Sequence, residues 1–291
     1  MAEIPPVWRR YDPIELDRQY DARASVPSFE AEYAHYVAAS NAVLAAVPRR
    51  ADLVYDPASG ERLDLWVAGP GTPVFLWIHG GYWRALSKHD NAFVVPGLLA
   101  HGISVAVMDY SLAPAVGIEE IVRQTRAAAA WLHHQGADLD VDTAHLHIGG
   151  SSAGGHLVAM LLAAGWHDDF GIPEDLIGTA LGLSGLYDLA PLVHTKVDGW
   201  MRFDRDRIAA VSPIGQVPRG SSARFLAAVG GRETDEFRRQ TRDYLARWRD
   251  AGNAGAEIAM DEANHFDIAL ALGDPHGVLA RTVAASILGA E

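Results

Sequence analysis

The chain contains 291 residues, 49% of them hydrophobic, and carries a formal net charge of −13 at pH 7. Nucleic acids and anionic membranes bind basic patches, so this charge argues against both as partners. The sequence has no cysteine, which excludes disulfides, thiolate nucleophiles and cysteine-ligated metals. Prolines and charges stand near the N-terminus where a signal peptide needs an apolar core, and no window approaches the roughly 20 apolar residues of a membrane span. We therefore expect a cytoplasmic protein.

The predicted elements begin with an N-terminal addition. Residues 1–27 are polar and punctuated by proline, which predicts an extended arm, and Ser28 is placed to cap a helix reaching about residue 47. Further on, strand patterns alternate with helix patterns. Strands are predicted at 53–55, 63–67, 73–78, 103–110, 144–149, 179–184, 224–229 and 257–260, and helices at 90–100, 118–136, 153–165, 237–252 and 276–289.

This alternation predicts an α/β fold, with a mostly parallel central sheet, helices on both faces and right-handed crossovers. We expect a single domain over residues 1–291. Residues 1–47, an arm and helix, and about 190–222, a small cap-like insertion, are predicted additions to it.

The segment Gly150-Ser151-Ser152-Ala153-Gly154 has the form G-x-S-x-G. This pattern is typical of a nucleophile elbow, in which a serine lies on a strained turn between a strand and a helix. Only small residues fit two positions before and two positions after such a serine. Glycines occupy both positions around Ser152, whereas Ser151 has an alanine two positions later. Ser152 is therefore the candidate nucleophile.

A serine hydroxyl needs a base, normally a histidine oriented by a carboxylate, and the order along the chain in such sheets is serine, acid, histidine. His265 is the candidate base because it follows the last predicted strand. The other histidines fit this role less well. His156 lies one helical turn after the elbow, where we expect it to pack or cap, His194 lies in the insertion, and His276 begins the last helix.

The acid is expected after the penultimate predicted strand, where Glu233 stands closest to the strand end. Asp235 is an alternative, although its position favours capping of the helix that follows. Asp188, after the preceding strand, is a third candidate. With Glu233 as acid, catalysis would use Ser152, Glu233 and His265.

Acyl transfer also needs donors for a tetrahedral oxyanion. The segment His79-Gly80-Gly81-Tyr82 follows a buried strand and is similar to the HGGG-type motif that supplies such a donor. We expect one source of donors in the backbone of Gly80, Gly81 and Tyr82. The second source is the backbone N–H of Ala153, the residue after the nucleophile. The alternative for the glycine pair is a plain turn.

We expect no metal and no cofactor. His145 and His147 lie on one strand face, but no further ligands are evident nearby, so packing of a strand end explains them better. The glycine run at 149–155 lacks the Lys-Ser/Thr pair of a P-loop and the spacing of a dinucleotide fingerprint.

Taken together, the segments at 79–83, 150–156 and 264–266 resemble the arylformamidase (kynurenine formamidase) branch of the α/β-hydrolases, which is related to hormone-sensitive-lipase-type esterases. Counterparts at 19–23, 184–189 and 233–237 extend the resemblance over nearly the whole chain. It implies an α/β-hydrolase fold and removal of formate from N-formylkynurenine. The family's acid, often Asp in a D-S-P-E-F-like run, falls on Glu233, which keeps the carboxylate but adds one methylene.

An aryl substrate needs an apolar pocket, and aromatic residues of the insertion and of the segment after the glycine pair are candidates. The expected pocket residues are Trp83, His194, Trp200 and Phe203. An equally open alternative is that Trp200 and Phe203 pack the insertion onto the domain, because insertions need cores too.

The leading hypothesis is a serine hydrolase that cleaves a small aryl formamide through an acyl-enzyme, and the alternative is a carboxylesterase acting on short-acyl or aryl esters. A metal-dependent hydrolase and a non-catalytic binding protein are the other classes considered. The expected partner is a small-molecule substrate, and a homo-oligomer remains open. Because the base must be a neutral imidazole, activity is expected to fall on acidification.

Overall fold

The computed structural model describes residues 5–290, and its centre is one eight-stranded sheet. The order across the sheet is β1-β2-β4-β3-β5-β6-β7-β8. The strands are β1 (Arg50–Asp56), β2 (Glu61–Trp66), β3 (Thr72–Ile78), β4 (Ser104–Met108), β5 (Val141–Ser151), β6 (Ile177–Leu183), β7 (Arg224–Ala228) and β8 (Gly255–Glu257).

Six of these strands, from β4 to β8 in spatial order, pair in parallel. β2 is antiparallel to both of its neighbours, since it forms a hairpin with β1 and pairs with β4. The carboxyl ends of the parallel strands therefore meet at one edge of the sheet, where binding sites of open α/β sheets lie. The predicted mostly parallel α/β-hydrolase sheet is confirmed.

Helices cover both faces of the sheet, as predicted. The α-helices are α1 (Pro13–Gln19), α2 (Phe29–Ala46), α3 (Val95–Leu99), α4 (Ile118–Gln135), α5 (Ala153–Leu161), α6 (Asp198–Met201), α7 (Asp235–Asp250), α8 (Asp267–Leu270) and α9 (Val278–Leu288). None of the helices in residues 5–290 is long and apolar enough to cross a membrane.

The core is divided in two by the sheet. Along β3, Val74, Leu76 and Ile78 pack on the side that α4, α5 and α7 cover, whereas Phe75 and Trp77 pack on the side of α2, α3 and α9. Side chains of a strand alternate between faces, so a strand that is buried throughout must be apolar throughout. This is why residues 73–78 form a continuous apolar run.

The N-terminal arm differs from its prediction. Of the predicted arm, residues 1–4 lie outside the part of the chain that the structure describes. Residues 13–19 form α1 rather than an extended chain. The Asp12 side chain accepts a hydrogen bond from the N–H of Glu15, and Pro13 stands in the first turn. These are ordinary helix-start signals, and they were available in the sequence. The helix capped by Ser28 is confirmed as α2.

Two other elements are shifted. The last strand was predicted at 257–260, but β8 ends at Glu257, and Met260 makes only an isolated bridge to Gly230. The helix predicted at 90–100 is a 3-10 helix, His89–Val94, followed by the short α3. In residues 190–222 the structure has α6 and short 3-10 helices.

Candidate active site

The candidate nucleophile lies on a strained turn. Ser152 joins β5 directly to α5 and has φ 58° and ψ −116°, in the region that side chains rarely adopt. A Cβ on Gly150 would lie 2.6 Å from the backbone of Gly154, and one on Gly154 would lie 2.0 Å from the carbonyl oxygen of Ile78. The turn therefore tolerates no side chain at positions 150 and 154, two residues before and two residues after the serine. Ser151 is the last residue of β5 and lacks this strained φ.

Glu233 and His265 form a buried hydrogen-bonded pair. The Glu233 Oε2 atom lies 2.6 Å from Nδ1 of His265, and both side chains are almost fully buried. The other carboxylate oxygen, Oε1, accepts hydrogen bonds from Ser184 Oγ at 2.5 Å and from the N–H of Gly230 at 2.7 Å. Because a carboxylate only accepts, Nδ1 of His265 carries the proton and Nε2 is left as an acceptor.

The two alternative acids lie elsewhere. Asp235 is exposed and pairs with Arg10 and Arg238 on the surface. The carboxylate of Asp188 accepts the N–H of Ala190 in a local turn. Within residues 5–290, neither carboxylate hydrogen-bonds to a histidine, so the geometry favours Glu233.

The loop that carries His265 is fixed from two sides. Within the loop, the Asn264 side-chain oxygen accepts the N–H groups of Phe266 and Asp267. From α2, the Tyr36 hydroxyl donates to the Phe266 carbonyl at 2.9 Å, and Glu32 accepts from the Asn264 amide. The imidazole is therefore held by bonds on both sides of it along the chain.

Ser152 and His265 line the same cavity, which has a volume of about 280 Å³. Gly80 and Gly81 border it from the segment after β3. A Cβ on Gly80 would lie 2.8 Å from the Ser151 carbonyl oxygen and 3.3 Å from the Ser152 Cβ. The absence of a side chain on Gly80 therefore lets the segment after β3 contact the backbone of the serine turn.

This segment, residues 79–83, is backbone-strained and carries unused donors. Gly81, Tyr82 and Trp83 have successive φ values of 94°, 51° and 57°. A Cβ on Gly81 would lie 2.2 Å from the Ala85 carbonyl oxygen. Among residues 5–290, the N–H groups of Gly81, Tyr82 and Ala153 have no protein acceptor. The geometry leaves these donors available to a ligand oxygen.

His79 holds the start of the segment. Its Nδ1 atom lies 2.9 Å from the Gly80 carbonyl oxygen, and its ring stacks on Tyr110 at 4.1 Å between centroids. The Tyr110 hydroxyl donates to the carbonyls of both His79 and Gly80 at 3.0 Å. Burial lowers the pKa of His79 to about 4, so its imidazole is neutral and structural.

His156 and His147 are accounted for by packing and local hydrogen bonds. His156 is fully buried, donates from Nε2 to the Val211 carbonyl at 2.8 Å and meets Trp83 edge-on. Burial lowers the pKa of His156 to about 4. His147 accepts the N–H of Thr179 at 3.0 Å.

Three of the four predicted pocket residues do not line the cavity. Trp200 does. Trp83 is fully buried beneath the segment and Phe203 packs against it, with ring planes at 90°. His194 is exposed at the end of a 3-10 helix. Trp83 was expected in the pocket as an aromatic residue after the glycine pair, but the left-handed backbone at residues 81–83 turns its indole into the core.

The N-terminal addition supplies much of the cavity wall, which was not predicted from the sequence. Phe29, Tyr33 and Tyr36 of α2 line it, and so does Tyr20 after α1. The i, i+4, i+7 spacing of the three α2 residues indicates that they share one face of the helix. The spacing does not indicate that this face borders a cavity.

The comparisons with known proteins agree with this architecture. The family model described as BD-FAE matches residues 66–172. Kynurenine formamidase from Danio rerio is 28% identical over 94% of this chain and 96% of its own length, and that from Salmo salar is 29% identical over 76% and 77%. Esterase LipQ from Mycobacterium tuberculosis is 28% identical over 75% of this chain and 57% of its own.

Solved structures give the same fold. A structure from Silicibacter sp. TM1040, provisionally described as a thioesterase, has a TM-score of 0.80 at 28% identity and covers 93% of this chain and 99% of its own. An esterase from Pyrobaculum calidifontis has a TM-score of 0.73 at 17% identity and covers 99% of both chains, a likeness of fold alone.

Proposed function

We propose that this chain, which belongs to the arylformamidase-like branch of the α/β-hydrolase superfamily, hydrolyses a small aryl formamide such as N-formylkynurenine to the arylamine and formate. One observation supports this proposal above the others. The elbow serine Ser152 and the buried pair of His265 with Glu233 meet at one cavity, beside backbone N–H groups that have no protein acceptor. A cytoplasmic location, expected from the sequence, is part of the same proposal.

In the first half of the proposed reaction, Nε2 of His265 takes the proton of the Ser152 hydroxyl while Oγ attacks the formyl carbon. The carbonyl oxygen becomes an oxyanion, which accepts hydrogen bonds from the N–H groups of Ala153, Gly81 and Tyr82. Each such donor contributes about 2.7–4 kcal/mol to transition-state stabilisation in comparable sites. His265 then gives its proton to the departing aryl nitrogen, and the serine carries a formyl ester.

In the second half, water attacks the formyl ester while His265 takes a proton from it. Collapse of the second tetrahedral intermediate returns that proton to Ser152 and releases formate. Glu233 stays ionised throughout and stabilises the imidazolium that forms twice in the cycle. All steps use groups of this chain and water.

The wall of the cavity favours an aromatic substrate. Tyr20, Phe29, Trp200 and Phe266 border the same cavity as the serine. Aromatic side chains suit the flat ring of an aryl formamide. Each offset or edge-to-face ring contact stabilises binding by about 0.5–1.5 kcal/mol beyond the contribution of the buried area.

Carboxylester hydrolysis is the second candidate function, because the same catalytic groups cleave esters and several relatives are named as esterases. The two are separated by kcat/KM on N-formylkynurenine and on a matched short aryl ester. We expect turnover of the formamide at a rate comparable to that of the ester. Fast ester cleavage beside negligible formamide turnover would assign the carboxylesterase instead.

The assignment of the nucleophile is tested on the same protein. A serine-directed phosphonate is expected to label Ser152, identified by mass spectrometry of peptides, and Ser152→Ala should abolish both labelling and turnover. Ser151→Ala, one residue earlier, is the matched control and should still be labelled. Labelling that survives Ser152→Ala would refute the mechanism.

A further inference from the structure

The guanidinium of Arg84 borders the cavity. The Arg84 guanidinium carbon lies 3.9 Å from the ring centroid of Trp200, and both residues are in the cavity wall. Within residues 5–290, no carboxylate lies within salt-bridge distance of Arg84 and its side chain makes no hydrogen bond. Stacking on the indole fixes the group, while its N–H donors remain free for a ligand.

The charges around it favour an anion. Lys196 and Arg23 also border the cavity, and Arg23 stacks on Phe29 at 4.2 Å. Two carboxylates share the wall, but Asp17 already faces Lys196 at 3.9 Å and accepts its backbone N–H, and Asp21 accepts the N–H of Ala24. The three cations and two carboxylates leave the lining side chains with one net positive charge, in a chain whose net charge is −13.

Arg84 is also tied to the proposed reaction centre. It follows Tyr82 by two residues, so their Cα atoms are at most about 7 Å apart. Its stacking partner Trp200 donates from Nε1 to the Tyr82 carbonyl at 3.3 Å. The stacked guanidinium therefore belongs to the same short segment as the donors proposed to hold the reacting carbonyl oxygen, and its stacking partner is hydrogen-bonded to that segment.

From these observations we propose that Arg84 is a specificity-determining residue that binds the carboxylate of the substrate. The substrate class is an aryl formamide, or aryl ester, whose ring bears a side chain ending in a carboxylate. Arginine donates to a carboxylate with two parallel N–H groups, which fixes orientation as well as charge. This inference deepens the proposed function and rests on the same cavity.

The test compares acid-bearing substrates with neutral ones in two series. The formamide pair is N-formylkynurenine and 2′-formamidoacetophenone, and the ester pair is 4-acetoxybenzoate and phenyl acetate. The measured quantity is the ratio of kcat/KM for the acid to kcat/KM for its neutral counterpart. We expect Arg84→Ala to lower this ratio by about 10- to 100-fold, since hydrogen bonds to charged groups are the strong ones.

Arg281→Ala is the matched control. Arg281 is exposed on α9, outside the cavity wall, and its loss changes the net charge by the same amount. The ratio should stay within about twofold of that of the unmodified protein, as expected for surface substitutions. Arg84→Lys keeps the positive charge but lacks the two parallel N–H donors of the guanidinium, so it should recover only part of the selectivity.

The two series separate failure of this inference from failure of the proposed function. If formamides are not cleaved, the ester pair still reports on Arg84. An acid-to-neutral ratio that is unchanged in Arg84→Ala, in whichever series is cleaved, overturns the proposal. As a measurement independent of turnover, 2-aminobenzoate should quench the tryptophan fluorescence of Ser152→Ala at a lower concentration than acetophenone does, and Arg84→Ala should remove that difference.

Discussion

Glu233→Gln tests the proposed role of the acid because the structure determines which way the new amide must point. Oε1 of Glu233 accepts the Gly230 N–H, a group that can only donate. The amide oxygen must therefore occupy the Oε1 position, and the NH₂ group faces Nδ1 of His265 in place of Oε2. Nδ1 then has to accept, so the imidazole proton moves to Nε2 and the ring can no longer take the serine proton.

A wrong tautomer in a serine hydrolase costs about 10⁴-fold in kcat. We expect a loss of about 10³- to 10⁴-fold here, which is about 4 to 5.5 kcal/mol of activation free energy. The side-chain shape is kept and both donors at Oε1 keep an acceptor, so the free energy of unfolding should fall by only about 1–2 kcal/mol. The protein should therefore fold, since domains have about 5–15 kcal/mol of stability.

The assay is steady-state hydrolysis of an aryl formamide and an aryl ester, together with urea unfolding of the same samples. Asp235→Asn is the control, because it also removes one carboxylate charge two residues away, but from an exposed side chain. It should keep kcat within about twofold of the unmodified value. Retention of more than a tenth of the activity by Glu233→Gln, or an equal loss in Asp235→Asn, would refute the role proposed for Glu233.

Three further substitutions test the fold around the site. Gly154→Ala places a Cβ 2.0 Å from the Ile78 carbonyl oxygen and should cost about 3 kcal/mol or more of unfolding free energy in urea titration, whereas Gly199→Ala, where space is open, should change it by less than about 0.5 kcal/mol. His156 resists protonation when folded, because burial lowers its pKa to about 4, but titrates near about 6.5 when unfolded. The stabilisation from neutral His156 is therefore complete above pH 6.5 and is lost as the pH falls toward 4. His156→Gln should reduce the dependence of the unfolding free energy on pH by about 1.4 kcal/mol per pH unit, measured by unfolding curves at pH 4.5 to 7. An unchanged pH dependence would contradict this. Tyr36→Phe removes a hydrogen bond to the His265 loop and should lower the free energy of unfolding by about 1 kcal/mol, with kcat no more than about tenfold lower; equal stability would show that the bond contributes nothing.

The sheet and the serine turn were predictable because their signals are local. A run of apolar residues predicts a buried strand wherever it stands, and the glycines around Ser152 report steric contacts within the turn and with one neighbouring strand. His265 and Glu233 were placed by order along the chain, which needs only the strand sequence. In the structure these two side chains are joined by a hydrogen bond.

Most of the cavity wall, Trp200 apart, was not predictable, because its residues meet only through distant contacts. The Tyr20 hydroxyl donates to Glu236, 216 residues further along the chain, and the Tyr82 hydroxyl donates to the Tyr20 carbonyl. No local pattern in residues 13–46 reveals these partners. Conversely, Trp83 has the composition of a binding residue, but the left-handed backbone around it turns the indole into the core.

The origin of the wall has a practical consequence for protein engineering. The proposed reacting groups lie at the ends of sheet strands, whereas most of the aromatic and charged wall residues, Arg84 apart, come from residues 17–36 and from residues 195–200. Libraries confined to those two segments should retune which molecules are accepted while the hydrolytic groups stay in place. Substitutions in the sheet-end turns, where backbones touch without side chains between them, offer no such freedom.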